Sequence, residues 1–86
     1  MGVVLADLEP TVVEAGTVVF SEGDAAGPLY LIEDGRVRVF TTVDGKRTYV
    51  ATFGAGDYFG EASALHGTPP RVAVEAITRC RLCLRR

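Results

Sequence analysis

Apolar and polar residues alternate most clearly along Arg36-Val37-Arg38-Val39-Phe40. That period of two marks a strand with one face in a core and the other in water. Similar short runs rich in Val, Ile, Phe, Tyr and Thr recur along the chain, each closed by a glycine turn. They predict strands over Thr11–Ala15, Thr17–Phe20, Leu29–Asp34, Arg36–Val43, Lys46–Phe53, Arg71–Ile77 and Cys80–Arg85. Asp44-Gly45 between two such runs predicts a two-residue hairpin, because both residues tolerate positive φ. Further turns are expected at Glu14–Gly16, Ser21–Pro28, Glu33–Gly35 and Phe53–Asp57. Helical patterning is confined to Val3–Glu9 and to the short Glu61–Leu65. Many short strands at close spacing imply a small all-β barrel or sandwich.

Length and composition narrow the class. Eighty-six residues, 48% of them hydrophobic, make one folded domain over residues 1–86, and the strand-like ending CRLCLRR suggests a fragment or module of a larger protein. A net charge of −2 argues against direct nucleic-acid binding, which needs a basic face. The N-terminus lacks the basic start and apolar stretch of a secretory signal, and Ala6 breaks the myristoylation pattern. No apolar run approaches the roughly 20 residues of a membrane span. A cytoplasmic setting without membrane insertion is the expectation.

Catalysis and metal binding find little support in the residue types. Cys80 and Cys83 form a C-x-x-C pair, but His66 is the single histidine and there is no further cysteine. Three positions apart on a strand, the two thiols also face opposite sides. Neither a nucleophile–base pattern nor a Gly-rich motif leading into a long helix is present. We therefore expect no enzyme, no metal and no cofactor. Tyr30, Phe40, Phe53, Tyr58 and Phe59 read as core, His66 as an exposed turn residue, and Arg36, Arg38, Lys46 and Arg47 as a solvated hairpin face.

One stretch does carry binding chemistry. Phe59-Gly60-Glu61 leads into a short helix and is followed by Gly67-Thr68-Pro69-Pro70-Arg71. A helix starting after Gly60 offers unpaired N–H groups and a positive dipole end. The small side chains of Ala62, Ser63 and Ala64 leave room for a ligand to approach. With EAGTVVFSEGDAAGPLYLIEDGRVRVF and the Asp-Gly hairpin before it, this stretch resembles the phosphate-binding cassette of the cyclic nucleotide-binding domain family, from about Thr11 to Leu84.

The resemblance implies an eight-stranded β-roll of the double-stranded β-helix or jelly-roll type, with a short helix in the cassette. It implies that Glu61 meets the ribose 2′-hydroxyl and that Arg71 pairs with the cyclic phosphate. Phe59, Gly60, Ala62, Ser63 and Val72 complete the implied ligand-binding set. The implied function is a regulatory module that senses cAMP, or cGMP, and controls an effector outside this chain, with room for a homodimer. The alternative is a degenerate member that binds no nucleotide and serves as a protein interaction domain.

Two departures from the family pattern bear on this. The commonest cassette places arginine nine residues after the glutamate, where this chain has Pro70; Arg71 comes ten residues after Glu61, a spacing seen in bacterial transcription-regulator relatives. Val72 stands where many members carry Ser or Thr. If a strand begins at Arg71, a one-residue shift reverses the face its side chain points to, and the sequence leaves both directions open. The family's C-terminal hinge and lid helix has no counterpart before Arg86.

Overall fold

The structure, a computed structural model, describes residues 9–85. Among the described residues, eight strands and one short helix follow in the order β1 (Glu9–Val13), β2 (Val18–Phe20), β3 (Leu29–Asp34), β4 (Arg36–Val43), β5 (Lys46–Gly54), β6 (Tyr58–Phe59), α1 (Glu61–His66), β7 (Ala73–Ala76) and β8 (Cys80–Arg85). They form two four-stranded sheets, ordered β1-β8-β3-β6 and β2-β7-β4-β5, with antiparallel pairing throughout. The implied β-roll is thus the observed architecture.

Period-two patterning explains why the sheets close on each other. Val37 and Val39 of β4 face inward with Ile32, Phe59, Val74, Ala76, Cys80 and Leu82, forming a buried cluster drawn from both sheets. Asp44 and Gly45 take φ of 52° and 77°, the mirror-image turn whose twist matches that of the flanking strands. Further along this hairpin Val39 pairs with Ala51 but Phe40 with Tyr49, so Val50 is an unpaired bulge residue and Tyr49 comes to the same face as Phe40.

Strands β3, β4 and β8 have the boundaries read from the sequence. Others differ for reasons of pairing. β1 starts at Glu9 because its ladder with β8 runs from Glu9 opposite Leu84 to Val13 opposite Cys80. Pro10 is tolerated there because β1 is an edge strand. β6 has two residues, too few to show alternation. β7 opens at Ala73, two residues after the expected start, because its ladder with β4 ends at the Phe40–Ala73 pair. Arg71 and Val72 therefore lie in a bend before the strand. The expected helix over Val3–Glu9 falls, up to Leu8, outside the described residues, while Glu9 itself belongs to β1.

Two side-chain expectations are corrected. Tyr58 is half exposed at 51%, not core. Arg38 and Arg47 are not simply solvated: both bridge Glu75 of β7, at 3.0 and 3.3 Å, and they stack over Tyr49 and Phe40, each 4.2 Å from the ring centroid. Phe40 is buried beneath this layer, apart from the main core.

Candidate functional site

The site is built where α1 meets β3 and the turn before β7. Gly60 caps the helix with left-handed backbone (φ 81°, ψ 10°). A Cβ at this position would stand 3.2 Å from the Pro28 carbonyl oxygen and 3.4 Å from the Tyr30 ring, so glycine lets the helix start press against β3. Behind it, Phe59 stacks in parallel on Tyr30 at 4.8 Å, and Phe20 tilts against both rings at 5.8 and 6.0 Å. This aromatic triad fixes the helix on the roll. In a helix this short, the first-turn N–H groups of Glu61, Ala62 and Ser63 have no intrahelical acceptor, and the first intrahelical bond is from Ala64 N–H to the Gly60 carbonyl, at 3.0 Å. Gly67 closes the last turn, its N–H donating to the Ser63 carbonyl at 2.9 Å.

Next to the helix opens a cavity of about 330 Å³, at the low end of the range for small-molecule sites. Phe59, Gly60, Glu61, Ala62, Ser63, Arg71 and Val72, all seven residues singled out from the sequence, line it. Its remaining wall is largely carbon: Phe20, Val39, Ala51, Phe53 and Val74. These come from β2, β4, β5 and β7, and the Val39–Ala51 and Val37–Phe53 pairs explain how they share one inward face. Thr68, Pro69 and Pro70, also on the lining, belong to the cassette motif outside that set; nothing local in the sequence ties the apolar wall to the cassette.

Four lining residues have polar side chains: Glu61, Ser63, Thr68 and Arg71. The Ser63 hydroxyl donates to the Thr68 carbonyl at 2.6 Å and accepts the Gly27 N–H at 3.3 Å. Glu61 and Arg71 are exposed, and among the described residues no ion pair engages either. Elsewhere the arginines Arg38, Arg47 and Arg79 each meet a carboxylate within 3.5 Å. An unengaged carboxylate and an unengaged guanidinium beside an apolar cavity suit a ligand with an anion, a hydroxyl and a flat carbon-rich body. The thiols lie elsewhere: Cys80 is in the core and donates to the Arg36 carbonyl at 3.2 Å. A hydrogen bond to Glu33, together with burial, pushes the Cys83 thiol above its usual range. Among the described residues no group of three or more His, Cys, Asp or Glu could hold a metal ion, and no helix is long and apolar enough to cross a membrane.

Comparison with known proteins agrees with the geometry. The family model of the cyclic nucleotide-binding domain matches residues 10–84. The cAMP-dependent protein kinase regulatory subunit of Yarrowia lipolytica is 43% identical over 79 residues, which are 91% of this chain and 20% of that protein. Among solved structures, the Thermus thermophilus catabolite activator protein is similar at a TM-score of 0.89 with 28% identity, over 96% of this chain and 39% of that one. The EAL enzyme Bd1971 in its cAMP-bound form is similar at a TM-score of 0.85 with 30% identity, over 88% of this chain and 21% of that one. The chain belongs to the cyclic nucleotide-binding domain family. It spans about a fifth of the length of the kinase regulatory subunit it matches.

Proposed function

We propose that this chain binds a cyclic nucleotide, cAMP or cGMP, in the cavity beside α1, and acts as a regulatory module for an effector. The observation that carries the reading is the convergence of the seven cassette residues on one cavity where Arg71 and Glu61 are unengaged. Arg71 pairs with the phosphate, and the first-turn N–H groups of α1 add donors beside it. Glu61 accepts from the ribose 2′-hydroxyl. The carbon-rich wall from β4, β5 and β7 shelters the ligand's apolar surface from water. Relatives support both halves: Bd1971 is seen with cAMP and with cGMP bound, and the yeast relative is a regulatory subunit of a cAMP-dependent kinase.

Calorimetric titration with cAMP and cGMP tests the reading. A hydrogen bond to a charged group contributes ~1.5–3 kcal/mol, and a guanidinium fork makes two. Arg71→Ala should therefore raise Kd by roughly a hundredfold or more. Glu61→Ala should raise it by about tenfold. Absence of heat at millimolar nucleotide, or an Arg71→Ala variant that binds as well as the parent, overturns the proposal.

A further inference from the structure

Ser63 is a buried polar side chain at the site, 7% exposed, and its hydroxyl is committed at both ends. A hydroxyl has one proton to donate, and here the Thr68 carbonyl takes it at 2.6 Å. The Gly27 N–H donates to the same oxygen at 3.3 Å. Ser63 thus has no side-chain proton left to give a ligand, although it lines the cavity. Its partners instead belong to the two segments that flank α1: the turn that ends in Arg71 and the loop Ser21–Pro28 before β3.

That turn has few anchors of its own. Pro69 and Pro70 carry no N–H, and the ladder of β7 begins only at Ala73. Among the described residues, two hydrogen bonds tie Thr68–Arg71 to the rest of the roll. One is Ser63 Oγ to the Thr68 carbonyl; the other is Gly23 N–H to the Pro70 carbonyl, at 3.0 Å. Loop, helix and turn are linked in a closed circuit through Gly23–Pro70, Thr68–Ser63 and Ser63–Gly27. We propose that the Ser63 side chain is a positioning group and not a ligand contact, whatever its backbone N–H does at the helix start. It fixes the turn that carries Arg71 against the helix that carries Glu61, and holds the 21–28 loop to both. The effect on affinity rests on the nucleotide-binding reading; the effect on the turn does not.

The test has two arms on the same protein. In the ligand-free state, amide hydrogen exchange by NMR should show the Gly27 amide exchanging about tenfold faster in Ser63→Ala, with the Gly23 amide, which donates to the Pro70 carbonyl, also faster. The amides of Val39 and Val74 should be unchanged, and Ser63→Thr, which keeps the hydroxyl, should restore protection. In the second arm, cAMP affinity should fall about tenfold in Ser63→Ala and recover in Ser63→Thr. In an Arg71→Ala background the Ser63→Ala change should cost nothing further, since the arginine it positions is gone. Unchanged exchange at Gly27 and Gly23 overturns the proposal, as does an equal loss of affinity in both backgrounds. A parent protein that takes up no cAMP or cGMP sinks the nucleotide reading instead, and the exchange arm then decides the role of Ser63. Ser63→Cys keeps the shape but weakens both hydrogen bonds; it gives the same test with a smaller effect if the alanine variant does not fold.

Discussion

Replacing Gly60 by alanine tests how the helix start creates the site. Two costs are expected. The left-handed backbone, φ 81°, costs an L-residue about 1–2 kcal/mol. The new Cβ would also stand 3.2 Å from the Pro28 carbonyl oxygen, which belongs to backbone and cannot rotate away. Gly23 separates the two terms: its φ is 80°, yet a Cβ there meets nothing within 4 Å. Gly23→Ala should therefore show the backbone cost alone, and Gly60→Ala that cost plus the crowding against Pro28 and Tyr30. Each kcal/mol lowers the melting temperature of a domain this size by roughly 4–8 °C, so the expected loss for Gly60→Ala is about 10 °C or more. Because α1 must shift to relieve the contact, nucleotide affinity should fall as well, whereas Gly23→Ala should affect it less. Thermal melts and calorimetry on both variants are the measurements. Equal melting temperatures for the two would refute the close-approach argument, since only the shared backbone term would then be present.

Gly35→Ala should be more destabilising still, because a Cβ there would overlap the Arg79 carbonyl and the Cys80 thiol, at φ 95°; a melt within 2 °C of the parent would contradict this. The Arg38 hydrogen bond foremost, offset in part by burial, and then Arg47 hold the Glu75 carboxyl below its ordinary 4.5. Its charged form is thus favoured by folding: the stabilisation is present above about pH 4.5 and is lost as pH falls through the lower folded value. Since Arg38 and Arg47 are 41% and 44% exposed, solvent screening limits this to about 1 kcal/mol, and added salt should reduce it. Glu75→Gln should flatten that part of the acid denaturation curve, and an unchanged slope would remove the claim. Cys80 and Cys83 should react slowly with thiol reagents in the folded protein, both being buried and the Cys83 thiol pushed up, whereas unfolding should release both; fast labelling of the native state would contradict the structure.

Much of the roll was legible because period-two patterning and turn chemistry are local. β3, β4 and β8 took their predicted bounds since each begins beside a glycine or a turn and is a short run of strand-forming residues, alternating most clearly in β4. What was not legible depends on pairing. Tyr49, two residues before the inward Ala51, would face inward in a regular β5, but the bulge opposite Val39-Phe40 sets it on the outer face beside Phe40 and Arg38. Arg38 and Arg47 look like solvated charges on a hairpin until β7 comes alongside β4 and sets Glu75 between them. The apolar wall of the cavity is the same kind of case: Val39, Ala51 and Val74 meet only because β4 lies between β5 and β7.

The direction of Arg71 shows how a correct local rule can be asked of the wrong residue. Alternation decides which face a side chain takes only inside a strand, and by residue type the strand can begin as early as Arg71. Two features shorten it. Pro70 cannot donate to a ladder, and its carbonyl is held by Gly23 N–H, which pins the chain outside the sheet. The first pair with β4 is then Phe40 with Ala73, so Arg71 and Val72 lie in a bend where no strand register applies. The ten-residue spacing from Glu61 therefore does not have to be absorbed by a slipped strand. The bend absorbs it, and both Arg71 and Val72 reach the cavity lining while Val74 still points into the core. A shortened turn would test this directly: deleting Pro70 restores the nine-residue spacing but removes the carbonyl that Gly23 holds. If the bend sets the position of Arg71, the deletion should weaken cAMP binding severalfold and leave the β4–β7 pairing intact by NMR. Tighter binding after the deletion would mean that spacing along the chain, and not the anchored bend, governs where the arginine stands.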